Sequence, residues 1–246
     1  MNKIIALDFD GVICDSIDEC LLVSYFAFNN ISSIDKINFS DINKNLISSF
    51  RKYRFIVGPA KDFFFLWKSL IANTSSPDNV INDFLKLQKL EKNLELPFVK
   101  KFYSLRKDLK NNNFHYWLSL NPIFAKVKNF LLEFSNKNLF IITAKDYQSV
   151  DDIMKANDIE INSNHIYGIE IDLDKRNLFK KMINDFSLNK EDILFIDDNI
   201  SNLMKVKKIG ILGYLATWGY NSSSDYNKAQ NNNIPSLKLD DLYSII

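Results

Sequence analysis

Two regimes of hydrophobic patterning divide the chain. From Leu139 onward, short apolar runs at 139–143, 165–171, 193–197 and 211–216 alternate with stretches of helical periodicity at 147–157, 175–187 and 200–208. Continuous apolar runs between amphipathic helices predict parallel strands covered by helices on both faces. The N-terminal run Ile4-Ile5-Ala6-Leu7 belongs with these strands. Between Asp15 and Asn121 the period changes to that of helices, as in Leu21, Leu22, Tyr25 and Phe26, then Phe63 to Ile71, then Val80, Ile81, Phe84 and Leu85. The last of these follows Ser76-Pro77-Asp78, an N-cap residue with proline at the first helical position. Pro122 starts a further helix, Ile123 to Phe134, while Asn111-Asn112-Asn113 is expected to be a loop. The expected architecture is an α/β core of residues 1–15 and 121–246 interrupted by an all-helical insertion, 16–120. Hinges are placed at Asp15 to Ile17 and at Asn121-Pro122.

The predicted strands end in chemistry. Asp8 and Asp10 leave the first strand two residues apart, so their side chains point the same way into a turn opened by Gly11. Carboxylates that close repel each other unless a cation or a shared proton intervenes. The second strand, Leu139 to Thr143, ends in a hydroxyl, and the run from Ile193 ends in the pair Asp197-Asp198. Between these two, Lys175 opens a helix with Asp174 as N-cap and Leu178, Met182, Ile183 and Phe186 as its apolar stripe. In an open parallel sheet, ligands bind beyond the carboxyl ends of the strands, and that topology brings these residues to one rim.

Composition narrows the function classes. With 46% hydrophobic and 25% charged residues over 246 positions, the chain can bury a full core. A formal net charge of +1 leaves no electrostatic footprint for nucleic acid or an anionic membrane. Phe63-Phe64-Phe65-Leu66-Trp67, flanked by Asp62 and Lys68, is far shorter than the roughly 20 apolar residues a bilayer requires and reads as a buried helix. Asp8 and Asp10 interrupt the apolar N-terminus too early for a signal peptide. Cys14 and Cys20 lack companions at metal-ligand spacing, and His115 and His165 stand far apart, which argues against a zinc site and for a cytoplasmic protein. Neither Gly-x-x-x-x-Gly-Lys nor Gly-x-Gly-x-x-Gly occurs, so no nucleotide cofactor is expected.

Asp8-Phe9-Asp10-Gly11, Thr143, Lys175 and Asp197-Asp198, in this order, resemble the four motifs of the haloacid dehalogenase (HAD) superfamily. The resemblance implies a HAD-like Rossmannoid parallel-sheet core with a helical cap of the first type. It is similar in layout to the branch of phosphoglycolate phosphatase and β-phosphoglucomutase. It implies Asp8 as nucleophile toward phosphorus, Asp10 as acid and base, and Thr143 and Lys175 as holders of phosphoryl oxygens. Magnesium would be held by Asp8, Asp198, Asp197 and the main-chain carbonyl of Asp10, a set of hard oxygen ligands. Lys180 and Lys181 compete with Lys175 for the cationic role, which Lys175 takes by its place at the helix start. The family pattern has a second acid where this chain has Asn202. Dehalogenases usually lack an acid at the position of Asp10, so a phosphatase acting on a small phosphorylated metabolite is the leading reading. A sugar phosphomutase or a non-catalytic HAD-fold protein remain as alternatives, and the chain is expected to work as a monomer or homodimer. Arg51, Arg54 and Arg106 of the insertion are candidates for holding anionic or hydroxyl groups of the substrate.

Overall fold

A computed structural model describes residues 3–31, 38–73, 79–90, 95–134 and 138–245. The helix start expected at Ser76-Pro77-Asp78 lies outside the described residues. Six parallel strands, β1 (Ile4–Leu7), β2 (Leu139–Ile142), β3 (Ile166–Tyr167), β4 (Ile193–Asp197), β5 (Leu212–Ala216) and β6 (Ser236–Leu237), form one sheet in the order β3-β2-β1-β4-β5-β6. Among the described residues the α-helices are α1 (Ile17–Phe28), α2 (Lys44–Tyr53), α3 (Asp62–Ala72), α4 (Val80–Leu90), α5 (Glu95–Asn112), α6 (Phe114–Ser119), α7 (Ala125–Phe134), α8 (Tyr147–Ala156), α9 (Lys175–Phe186), α10 (Ile200–Lys207) and α11 (Ser223–Asn231). The chain divides into two compact units, Met1–Asp15 with Pro122–Ile246, and Ser16–Asn121.

Every residue of β1, β2 and β4 is buried, the signature of parallel strands covered on both faces. Ile4 and Ala6 of β1, Phe140 and Ile142 of β2, and Ile193 and Phe195 of β4 alternate toward one face. There they meet Leu178, Phe179 and Met182 of α9 and Ile200, Leu203 and Val206 of α10. The strand order reverses at β1: the chain first steps to β2 and β3, then crosses back to β4 on the other side of β1. Such a reversal splays the connections apart and leaves a crevice at the carboxyl ends of the two middle strands. Register places Leu7 of β1 between Ile141 of β2 and Ile196 of β4, so the residues that follow the three strands emerge side by side.

The core is left after Asp15 and re-entered at Pro122, and the two crossing segments are hydrogen-bonded to each other. The Asp15 N–H donates to the Pro122 carbonyl at 2.8 Å, and the Phe124 N–H to the Ile13 carbonyl at 3.0 Å, around an antiparallel bridge between Cys14 and Ile123.

The helical unit has its own core of stacked aromatics. The Phe50 ring stacks on Phe63 at 5.7 Å and on Trp67 at 4.9 Å, and Phe63 stacks on Phe102 at 5.7 Å. Trp67 satisfies its indole N–H on the Ser24 hydroxyl at 2.8 Å. The greasy segment Phe63 to Trp67 is thus buried helix, as its pattern predicts, and no helix of the described residues is long and apolar enough to cross a membrane.

The structure corrects several local expectations. Asn111 and Asn112 complete α5, and Asn113 caps α6 through a bond from the Tyr116 N–H, so the asparagine run is not a loop. The run 165–171 yields only a two-residue strand: Gly168 packs so close to Lys145 that a Cβ would lie 2.9 Å from its carbonyl, and the chain turns away. The helix expected from Ile123 begins at Ala125, because Ile123 is paired with Cys14. Strand β6 and helix α11 carry too little apolar pattern to be expected at all.

Candidate active site

Asp8 follows β1 directly, and its N–H continues the ladder by donating to the Ile196 carbonyl of β4 at 2.9 Å. Its carboxylate is held from two sides. Oδ1 accepts the Phe9 N–H at 2.7 Å, and Oδ2 lies 2.7 Å from the ammonium of Lys175. The same ammonium lies 2.7 Å from Asp197 Oδ2, so a buried lysine at the start of α9 bridges the ends of β1 and β4. Asp174 makes this possible by capping α9 through the Arg176 N–H, which starts the helix at Lys175 itself. Lys180 and Lys181 lie exposed further along the helix, Lys181 paired with Asp185.

Asp197 is completely buried. Its Oδ1 accepts the Asn199 N–H at 2.8 Å and its Oδ2 accepts the Asn202 amide at 3.0 Å. Asn202 therefore sits in the cluster as a neutral donor to a carboxylate. Asp198 is 5% exposed, and its Oδ2 accepts the Tyr220 N–H at 2.6 Å. Gly11 allows Asp198 to reach the first loop: its φ of +83° suits glycine, and a Cβ there would stand 2.1 Å from Asp198 Oδ2.

Asp10, partly exposed, is paired through Oδ1 with the ammonium of Lys145 at 3.0 Å. The Lys145 side chain is wholly buried, and the main-chain N–H of Lys145 donates to the Thr143 hydroxyl oxygen at 3.1 Å. Thr143, one residue beyond β2, thus has its hydroxyl oxygen engaged as acceptor and keeps its own O–H to donate. Lys145 is absent from the sequence-based set of site residues. Its signal is present: Thr143-Ala144-Lys145 repeats at the end of β2 the two-residue spacing of Asp8-Phe9-Asp10 at the end of β1. The contact of Tyr220 with Asp198 is made by a main-chain N–H and carries no sequence signal.

The electrostatics reflect an excess of negative charge. Against the four carboxylates of Asp8, Asp10, Asp197 and Asp198 stand the two buried ammonium groups of Lys145 and Lys175. Burial, opposed by Lys175 and reinforced by Asp197 and Asp10, pushes the Asp8 carboxyl up from 3.8 to about 7. Burial alone would lower Lys175, but Asp197 and Asp8 outweigh it and raise it above the ordinary lysine value. Asp8, Asp197 and Asp198 each offer an oxygen, all within 4.8 Å of one another. An all-oxygen donor set with two formal negative charges to spare fits a hard divalent cation such as magnesium.

Arg51, Arg54 and Arg106 belong to the helical unit, and each has partners there. Arg51 is exposed and pairs with Asp18 at 2.6 Å. Arg54 is buried, donates to the Val57 carbonyl at 3.1 Å and lies over the Phe63 ring. Arg106 is buried and bidentate on Glu19, at 2.6 and 2.8 Å, with its guanidinium 4.6 Å from the Phe102 ring centre. His165 stacks on Phe140 with its Nδ1 2.9 Å from the Leu139 carbonyl, while His115 is exposed beside Phe114. Cys14 and Cys20 are buried.

Comparison with known proteins agrees with this geometry. The family model described as haloacid dehalogenase-like hydrolase matches residues 71–214, more than half of the chain, a span that holds Thr143, Lys175, Asp197 and Asp198. A haloacid dehalogenase-like hydrolase from Streptococcus pneumoniae superposes with a TM-score of 0.64 at 19% identity, over 99% of this chain and 98% of that one. A protein named a predicted phosphatase from Clostridium acetobutylicum gives 0.63 at 15% identity, over 99% and 98%. A protein named a predicted phosphoglycolate phosphatase from Haemophilus somnus gives 0.58 at 19% identity, over 99% and 97%. At such identities the likeness is one of fold. No curated protein matches the chain. With its strand-end acids and buried lysines in the order the motifs require, and with the family model covering more than half its length, this chain belongs to the haloacid dehalogenase-like hydrolases.

Proposed function

We propose that the protein hydrolyses a small phosphomonoester through an aspartyl-phosphate formed on Asp8, with a divalent cation, magnesium by the chemistry of the donor set. The observation that carries this reading is the single ammonium of Lys175 held 2.7 Å from both Asp8 and Asp197 at the carboxyl ends of adjacent strands. A nucleophilic carboxylate needs a cation beside it that can also meet the oxygens of the group it attacks, and Lys175 is so placed.

Asp8 attacks phosphorus in line with the leaving oxygen, splitting one difficult displacement into two. The Phe9 N–H fixes the rotation of its carboxylate. Lys175 and the hydroxyl of Thr143 hold non-bridging phosphoryl oxygens. Asp10, oriented by Lys145, acts in its protonated form, giving its proton to the departing alkoxide, and the carboxylate so formed later takes one from the water that hydrolyses the aspartyl-phosphate. The cation, held by Asp8, Asp197 and Asp198 with the Asp10 carbonyl, would supply charge neutralisation between two anions that otherwise repel.

The helical insertion is assigned to substrate choice, with Arg51, exposed and salt-bridged only at the surface of that unit, as the arginine best able to exchange its partner for a substrate carboxylate. The names of the solved relatives support phosphatase chemistry, and Asp10 supports it independently, since a carbon–halogen bond needs no proton for its leaving group. A panel of small phosphomonoesters assayed for phosphate release, with magnesium and with chelator, tests the reading. Metal-dependent release from at least one is expected. Isomerisation of a hexose phosphate faster than phosphate release would instead assign a mutase.

A further inference from the structure

The segment Thr217 to Asn221, just beyond β5, makes three hydrogen bonds to Asp198 and to the loop that follows β1. The Trp218 indole donates to the Val12 carbonyl at 3.0 Å. The Tyr220 N–H donates to Asp198 Oδ2 at 2.6 Å, and the Tyr220 hydroxyl donates to Asp15 Oδ1 at 2.8 Å. Gly219, between them, is where the segment presses on the cluster: a Cβ there would lie 2.4 Å from the Gly11 carbonyl oxygen and 2.4 Å from Asp198 Cβ. Any side chain at 219 would drive Asp198 and the first loop apart, because both contacts are with backbone or with the root of a side chain.

The segment is itself anchored from behind. The Thr217 N–H and hydroxyl both donate to the Leu237 carbonyl of β6, at 3.0 and 3.1 Å. The Asn221 amide donates to the Ala216 carbonyl at 2.6 Å, and the Tyr226 hydroxyl bonds to Asn221. The sheet edge therefore holds a strap whose free side fixes one carboxylate and one loop together. Groups that hold a ligating carboxylate in place set how much ordering a cation must impose on it, and their loss typically costs 10–100-fold in affinity.

We propose that Gly219 and Tyr220 are positioning residues of the divalent-cation site, Tyr220 joining Asp198 through its N–H to Asp15 through its phenol. The proposal rests on the reading of Asp198 as a cation ligand. Tyr220→Phe keeps the N–H and the ring but frees the strap from Asp15. Gly219→Ala wedges Asp198 away from the Gly11 loop. Asp15→Asn keeps an acceptor for the phenol.

The test is calorimetric titration of the full-length chain with Mn2+, without substrate, alongside thermal melts and steady-state kinetics. Wild type should bind, and Asp198→Asn should weaken binding severely. Gly219→Ala should bind about 10–100-fold more weakly and Tyr220→Phe several-fold more weakly, with kcat recovering at saturating metal, while Asp15→Asn stays within about twofold of wild type. Should Gly219→Ala not fold, Tyr220→Phe decides. Native Mn2+ affinity in Tyr220→Phe, whatever its melting temperature, overturns the role given to the phenol, and native affinity in Gly219→Ala as well leaves the strap as packing alone. Absence of Mn2+ binding by the wild type overturns the cation-site reading and the strap proposal with it. Wild-type binding lost in Asp198→Asn but retained in the strap variants overturns the strap proposal only.

Discussion

Lys145, its side chain wholly buried, ends 3.0 Å from Asp10 Oδ1 and so ties the carboxyl end of β2 to the loop after β1. Removing the ammonium with Lys145→Met should leave Asp10 loosely oriented. Proton transfer by a positioned acid contributes about 10²–10⁴-fold, so turnover of an alkyl phosphomonoester should drop by roughly tenfold or more. Turnover of p-nitrophenyl phosphate, whose leaving group departs without a proton, should fall much less. Kinetics on the two substrates side by side give the answer, and equal losses would assign Lys145 to packing.

Asp8→Asn should lower kcat/KM by at least about a thousandfold, about 4 kcal/mol of barrier. The amide cannot attack phosphorus, although it can still accept the Phe9 N–H, so the fold should persist. Acid quenching of the wild type during turnover of a labelled substrate should trap phosphate on the protein, and the variant should trap none.

The raised Asp8 carboxyl makes the metal-free protein sensitive to pH in a defined direction. In the folded chain this group takes up its proton near pH 7, in the unfolded chain near its ordinary 3.8. Between those limits the folded state binds more protons, so the contribution of this group to stability is full at low pH and is lost as pH rises toward 7. Denaturant titrations of metal-free wild type and Asp8→Asn at pH 5 and pH 8 should show wild type losing ground to the variant at the higher pH. Magnesium at pH 8 should restore it, because a divalent cation favours the ionised form. Parallel behaviour of the two proteins would contradict the origin assigned to the shift.

Within the helical unit, the two kinds of arginine should separate cleanly. Arg106→Met leaves Glu19 buried and unpaired, a loss of about 3–5 kcal/mol, whereas adding Glu19→Leu should recover part of it. Arg51→Ala breaks a surface pair and should change stability by less than about 1 kcal/mol. If Arg51 meets the substrate, its loss should instead raise KM for an anionic phosphomonoester while sparing p-nitrophenyl phosphate. Denaturant unfolding reads the first pair of outcomes and steady-state kinetics the last.

The parallel core was legible because buried strands of this kind are unbroken apolar runs, and β1, β2 and β4 are so throughout. Strand-end acids were legible for the same reason: Asp8, Asp197 and Asp198 are the first charges after such runs. Strand β6, two residues long, and α11, started by the Ser222 N–H and hydroxyl on Asp225 and giving Ala229 to the core, offer no such pattern. Side-chain pairing across long separations was hidden as well. Nothing in the local pattern joins Glu19 to Arg106, 87 residues away, and an arginine beside aromatics reads equally as a substrate contact or as a buried partner. Main-chain contacts such as the Tyr220 N–H on Asp198 leave no trace in residue identity.

The hydrogen-bonded crossing at Asp15 and Pro122 has a consequence for the modularity of the chain. Its departing and returning ends are already the neck of a hairpin, paired around Cys14 and Ile123. Chain ends that lie close together are what lets a domain be excised or exchanged without disturbing its host. A short turn spliced between Asp15 and Pro122 should therefore close the neck and leave a sheet that folds by itself, a chassis onto which unrelated inserts could be grafted while the strand-end carboxylates stay in register.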